Sequence, residues 1–294
     1  GLQQPGEAAD AIHGTPKPPV RVAAGTLVAT AARVLANATA AHCVVEATGI
    51  HTQLGELVVA RATSDGDVML AGVRHRADVR ALSARLRAHG ARTLVIDGAF
   101  DRWAAADPDT ADTIIVCTGL AAGATAADAA GRAGALIRIL SLPLATQAES
   151  PPAALADHAA LRRGDQWERA PWRSLVVAGP PHATAAPCEA VYVPGAITAS
   201  GLDTAAALLA PGGALVARDP TRVQADDDAL RRFLRARTIC VLRRVRVAAV
   251  TVNPTAPGAP STDASAFVDA VAGAIDQAAP VLDVVGGAFH PGGA

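Results

Sequence analysis

Arg92-Thr-Leu-Val-Ile-Asp-Gly-Ala-Phe-Asp-Arg102 is the stretch on which the reading of the fold turns. Thr93 to Ile96 are β-branched or aliphatic without a polar break, the pattern of a strand covered on both faces. The run stops at Asp97-Gly98, and a polar loop follows. A carboxylate at the carboxyl end of a buried parallel strand stands where open α/β sheets bind their ligands. In phosphate-handling folds that position serves Mg2+, directly or through water. The plainer alternative is that Asp97 starts a turn or caps the next segment.

Working outward, residues 78–89 form an amphipathic pattern, with Val79, Leu82 and Leu86 on one face and Arg80, Arg85 and Arg87 towards solvent. Gly90 ends it as a glycine just past a helix does. Helix, glycine and strand in succession are the connection of an α/β sheet. Downstream, residues 113–117 read as a second buried strand that ends in Thr118-Gly119, and the small residues over 124–137 suit a helix. Two successive strand ends, at Asp97 and at Thr118-Gly119, should lie on one sheet edge and make one crevice. Upstream, residues 27–35 suit a helix and 43–49 a short strand. Residues 54–63 and 68–72 are strand-like runs joined through Ser64-Asp65-Gly66-Asp67, which predicts an antiparallel hairpin with Gly66 in its turn.

Residues 143–172 are mixed and polar and read as a connector, with a short helix possible at 153–162. After it the alternation restarts. Strands are expected at 174–178, 190–193, 214–217, 238–242, 245–252 and 280–285, and helices at 201–209, 226–235 and 263–278. Asp226-Asp227-Asp228 opens a helix that becomes arginine-rich, which suits the helix dipole at both ends better than it suits a metal cluster. The organisation expected is therefore a first α/β half over 1–142, a connector over 143–172 and a second α/β half over 173–294.

Composition narrows the functional classes. A net charge of −1 over 294 residues gives no general pull towards nucleic acid or anionic lipid. No apolar run approaches the length of a bilayer span. Cys43, Cys117, Cys188 and Cys240 are far apart with no Cys-x-x-Cys pair, and three lie in or beside apolar strand-like runs, so buried free thiols and a cytoplasmic location are expected. The histidines show no His-x-x-x-His or Glu-x-x-His spacing. Neither a Gly-x-Ser-x-Gly elbow nor a Gly-x-Gly-x-x-Gly fingerprint occurs. The one lysine, Lys17, is followed by proline, so these residues contain no Gly-x-x-x-x-Gly-Lys-Ser/Thr phosphate loop.

Several phrases, taken in order, resemble one family. They are Gly-Glu-Ala-Ala-Asp at 6–10, Gly-Thr-Pro-Lys-Pro at 14–18, Ala-Gly-Thr-Leu-Val-Ala-Thr-Ala at 24–31 and Glu-Ala-Thr-Gly-Ile-His-Thr-Gln-Leu-Gly-Glu at 46–56. Ser-Asp-Gly-Asp-Val-Met-Leu-Ala-Gly at 64–72, Ile-Asp-Gly-Ala-Phe-Asp-Arg at 96–102 and Thr-Gly at 118–119 continue the series. The chain resembles the small subunit of the lysine 5,6-aminomutase reactivase, the KamB-type family, densely over residues 1–143 and more thinly beyond. The resemblance implies a P-loop NTPase-like, mostly parallel α/β sheet with an antiparallel hairpin, followed by a second α/β half. It implies use of ATP and Mg2+, and action with a larger ATPase subunit to reactivate an adenosylcobalamin-dependent aminomutase. On it, Asp97 is the catalytic, metal-side carboxylate, Asp101 and Arg102 lie near the phosphates, and Thr118 and Gly119 border the same crevice. Family members carry a Gly-Lys-Thr loop upstream of the Gly-Glu-Ala-Ala-Asp phrase, at which this chain begins. A truncated amino terminus and poor nucleotide binding are therefore expected. A non-catalytic α/β scaffold that presents its surface to a protein partner is the alternative reading.

Overall fold

The computed structural model describes residues 19–73, 75–97, 106–175, 186–255 and 262–293. The chain divides into two compact units, Gly1–Thr110 and Ala111–Ala294. Both mix helices with strands, and parallel pairs occur in the second.

In the first unit, β1 (Val20–Val22), β2 (Leu27–Ala31), α1 (Ala32–Leu35), β3 (His42–Thr52), β4 (Gly55–Ala62), β5 (Gly66–Val68) and α2 (Arg76–Ala88) follow in order. The sheet order is β2-β4-β3, antiparallel throughout, and β1 pairs separately with β5. β4 is the central strand. Val58, Ala60 and Ala62 join Val22, Val28, Leu35 and Val68 in one core cluster, while Leu57 joins Ala31, Leu54 and Leu82 of α2 in another. Successive side chains of a strand point to opposite faces, so β4 is covered on both. Glu46 of β3 bonds to Arg85 and, at 2.8 Å, to His89 Nε2 at the end of α2. The His89 hydrogen bond, then that of Arg85, holds the Glu46 carboxyl below its usual range.

Three expectations change here. Residues 27–35 are mostly strand, because Val28 and Thr30 alternate in register with Ala60 and Val58 of β4; only the last four are helical. The predicted hairpin through Asp65-Gly66 does not form: β5 pairs with β1, and the hairpin of this unit joins β3 to β4. Gly66 is needed for a different reason than a turn. A Cβ there would stand 2.4 Å from the Ala40 backbone nitrogen, so only glycine fits the approach. Finally, residues 93–96 are not a strand. No strand pairs with them among the described residues, and Val95 is 86% exposed. An apolar run becomes a strand only where a neighbouring strand accepts it.

The second unit contains β6 (Ile114–Gly119), α3 (Ala126–Leu140), β7 (Ala160–Arg163), β8 (Gln166–Arg169), β9 (Cys188–Val193), β10 (Ile197–Thr198) and α4 (Ala199–Leu208). It continues with β11 (Leu209–Ala217), β12 (Val223–Gln224), α5 (Asp227–Leu234), β13 (Thr238–Val241), β14 (Val247–Asn253), α6 (Ala264–Ala274), β15 (Val281–Leu282) and β16 (Phe289–His290). One sheet runs β13-β11-β9-β7-β8, with β13, β11 and β9 parallel and β7 and β8 antiparallel. A second runs β16-β15-β14-β6, with the last three parallel. The small pair β10-β12 is parallel too. α3 and α6 pack closely through Gly134, where a Cβ would meet the Ala274 carbonyl oxygen at 2.4 Å.

Part of the expected connector is thus a strand hairpin at a sheet edge. Ala160–Arg163 and Gln166–Arg169 are joined by Gly164 at φ +59° and Asp165. Their arginines, glutamine and glutamate hide the strand pattern in the sequence. β6 and α3, read with residues 1–142, pair and pack with β14 and α6 in the second unit. The later expected strands at 190–193 and 214–217 fall within strands, while 238–242 runs one residue past β13, 245–252 starts two residues before β14, and of 280–285 only Val281 and Leu282 are strand. For the one at 174–178, residues 176–178 lie outside the described residues. Asp226 caps α5 as expected, accepting from the Ala229 N–H at 2.7 Å.

Candidate functional site

β6, β14 and β15 run parallel and end together, which makes their carboxyl edge the first place to look for a ligand site. Thr118 and Gly119 lie on this edge, paired with Val252 and Asn253. A Cβ on Gly119 would come within 3.2 Å of Asn253, so close strand packing accounts for that glycine. Asn253 Oδ1 accepts from the Thr255 N–H and hydroxyl at 3.0 and 2.7 Å, closing a turn at Pro254. Asp283, just past β15, is buried and accepts from the Val285 N–H at 3.0 Å, another turn. Thr221 is buried in a turn built by Asp219, which also accepts from Arg222 Nε at 3.2 Å.

The loop from β6 into α3 can be tested directly as a phosphate cradle. Thr125 N–H and hydroxyl both donate to Asp128 Oδ2, at 3.0 and 2.8 Å, and Asp128 N–H donates back to Thr125 Oγ1 at 3.1 Å. This capping box takes the amides and the hydroxyl that a phosphate would need, and it sets a carboxylate where the anion would sit. The residues of this loop do not fit a nucleotide triphosphate.

Asp97 belongs to the first unit and is exposed on irregular chain, not at the end of a strand. Its assignment as a strand-end metal carboxylate therefore loses the geometry on which it rested. Asp101 and Arg102 lie outside the described residues. Among the described residues there is no group of three or more His, Cys, Asp or Glu side chains placed to hold a metal ion.

A different feature of the β16-β15-β14-β6 sheet stands out. Val116, Val250, Val252 and Val281 point to one face and are buried, the side on which α3 and α6 pack. Register puts Ile115, Cys117, Ala249, Thr251, Leu282 and Phe289 on the other face. There Ile115 is 59% and Phe289 62% exposed, and Cys117 is exposed as well. None of these six residues is charged. Parallel strands are ordinarily covered on both faces, so one apolar face open to solvent marks an interaction surface. Sequence reading missed it because Ile114-Ile115-Val116-Cys117 is apolar at every position and its alternation shows only in the fold.

Of the thiols expected to be buried, Cys188 and Cys240 are, whereas Cys43 and Cys117 are exposed. Burial pushes Cys240 up to about 12 and raises Cys188, whose Sγ donates to the Leu208 carbonyl at 3.2 Å. Burial likewise raises Tyr192, whose hydroxyl donates to the Ala156 carbonyl at 2.7 Å.

Fold and site together define a mixed α/β protein with parallel and antiparallel sheets and an uncovered sheet face. None of its described helices is long and apolar enough to cross a membrane. No family model, curated protein or solved structure matches the chain.

Proposed function

We propose that the chain is the smaller, partner-engaging component of an assembly that reactivates an adenosylcobalamin-dependent aminomutase. In this reading it contributes binding surface and leaves nucleotide chemistry to a larger ATPase subunit. The observation that carries the reading is the open apolar face of the β16-β15-β14-β6 sheet, with Ile115 and Phe289 exposed on a sheet whose other face is covered by helices. The sequence resemblance supplies the identity of the assembly, including a P-loop NTPase-like ancestry for the α/β domain. The open face supplies a place for a partner. Binding of the partner to one of two arrangements of the mutase would bias opening by the difference of its affinities for the two.

The capped loop at Thr125 favours this division of labour over a nucleotide site within these residues. Titration of the 294-residue chain with MgATP is expected to show no binding in the micromolar range; saturable micromolar binding would return ATP and Mg2+ to this chain. The assembly is tested by co-purification of the chain with the large ATPase subunit and the aminomutase, with and without nucleotide. Retention with the ATPase subunit, lost in the double substitution Ile115→Asp and Phe289→Asp, supports the reading. No retention under either condition leaves only the general scaffold.

A further inference from the structure

A second feature of the same unit lies apart from the open sheet face. Loop 146–152 and the β7–β8 hairpin line an open cleft of about 420 Å³, within the size range of small-molecule sites. Both walls are fixed without a ligand. Thr146 N–H and hydroxyl donate to Glu149 Oε2 at 2.8 Å each, and the Ser150 hydroxyl donates to the Thr146 carbonyl at 2.9 Å. On the hairpin side, Gly164 N–H donates to Glu189 Oε2 at 3.0 Å. Arg162 Nη1 donates to the Ala148 carbonyl at 3.1 Å and ties the two walls together.

Three side chains of the cleft have capacity to spare. A guanidinium carries several N–H donors, and among the described residues only Nη1 of Arg162 is engaged, at the Ala148 carbonyl. Asp165, at the hairpin turn, is exposed, and among the described residues no ion pair or side-chain hydrogen bond engages it. Trp167 stands directly opposite Arg162 in the β7–β8 register and packs against the core cluster that contains Ala160, Ala190 and Tyr192. With Pro151 and Pro152 it gives the cleft an apolar wall. The other carboxylates near the guanidinium, Glu149 and Glu189, line a smaller cavity of about 240 Å³ and are engaged by the backbone donors named above.

We propose that this cleft binds a zwitterionic α-amino acid with an apolar side chain. Its carboxylate takes the guanidinium fork of Arg162, its ammonium faces Asp165, and its side chain lies between Trp167 and the two prolines. A guanidinium recognises a carboxylate in two-pronged fashion, and a simple anion would meet Asp165 unfavourably. The zwitterion satisfies both poles.

The test uses the full chain carrying Trp103→Phe and Trp172→Phe, so that Trp167 is the only indole, and follows its fluorescence with L-phenylalanine, L-leucine, 3-phenylpropionate and phenethylamine. The amino acids are expected to give saturable changes, with the carboxylate-only and amine-only probes weaker by roughly tenfold or more. Arg162→Lys, which keeps the charge and loses the fork, and Asp165→Asn should each weaken L-phenylalanine by a similar factor. Absence of saturation with both amino acids, equal binding of 3-phenylpropionate, or unaltered affinity in Arg162→Lys would each overturn the proposal. The probe comparison on otherwise unaltered protein keeps it falsifiable should a variant misfold.

Discussion

The two larger sheets of the second unit differ in one respect that bears on function. In β9, β11 and β13 the central residues are buried whichever face they point to: Ala190 and Val191, Leu215 and Val216, Ile239 and Cys240. α4 and α5 pack against these strands, and Ala145 and Leu155 pack against the face that carries Ala190 and Tyr192. In β6 and β14 only Val116, Val250 and Val252 are buried, and the positions beside them, Ile115, Cys117, Ala249 and Thr251, are uncharged and at least partly exposed. Both sheets are built around parallel pairs, β13-β11-β9 in one and β15-β14-β6 in the other. Only one has used both of its faces within the described residues. A covered sheet is core, and a half-covered one with an apolar open face is a surface waiting for a neighbour.

The sharpest way to break that contrast is to truncate a side chain in each sheet. Leu215→Ala removes a fully buried side chain beside Ile239 and should cost about 2–5 kcal/mol. Ile115→Ala should change stability by no more than about 0.5 kcal/mol, because its side chain already faces solvent. Urea denaturation of the two variants measures both; equal losses would mean that the Ile115 face is packed in solution.

A smaller effect tests the helix layer on the covered face. Gly134→Ala gains about 1 kcal/mol of helix propensity but drives a Cβ into the Ala274 carbonyl, a backbone group that cannot rotate away. Overpacking of this kind costs about 1–3 kcal/mol, so net destabilisation is expected and is read as a lower unfolding temperature. A more stable variant would show that α3 and α6 are not in close contact.

The next effect is pH-dependent. Burial opposes ionisation of Asp227, but hydrogen bonds from Arg231 at 2.6 Å and Arg138 at 3.1 Å outweigh it and hold its carboxyl below the ordinary value of 3.8. A carboxyl depressed on folding stabilises fully above its unfolded value and loses that stabilisation as pH falls through the folded one. Acid titration of stability should therefore be shallower below about pH 4 in Asp227→Asn than in the parent. The same sign holds for Glu46, which bonds His89 and Arg85. Identical acid profiles in parent and variant would remove the α3–α5 bridge from the account.

The smallest perturbation is chemical labelling. Cys117 on the open face and the exposed Cys43 should react with a maleimide in the native state, while the buried Cys188 and Cys240 react only after unfolding. Labelling of Cys240 as fast as Cys117 would erase the difference between the two sheets.

Much of the second unit was legible in the sequence, for a physical reason. Runs such as Ala190-Val-Tyr-Val and Ala214-Leu-Val-Ala are apolar at every position because they are buried on both faces, and that pattern survives without an alignment. The same rule misread Thr93-Leu-Val-Ile96, where an equally apolar run has no partner strand among the described residues. It was also blind to β7 and β8, whose arginines, glutamine and glutamate disguise an edge hairpin. Asp65-Gly66 has the letters of a tight turn, but Gly66 is demanded by the nearness of the Ala40 backbone. The candidate site suffered most. Strand-end position was inferred for Asp97 from local letters, whereas the open face is a property of register among β6, β14, β15 and β16, which are separated by long stretches of chain.

Hydrogen–deuterium exchange of the chain alone and with the large ATPase subunit tests the open face most directly. The account predicts that amides of Ile114–Gly119 and Phe289–His290 slow on binding while those of Leu209–Ala217 keep their rates. Protection confined to the first unit, or no change at β6 in a complex that demonstrably forms, would contradict it.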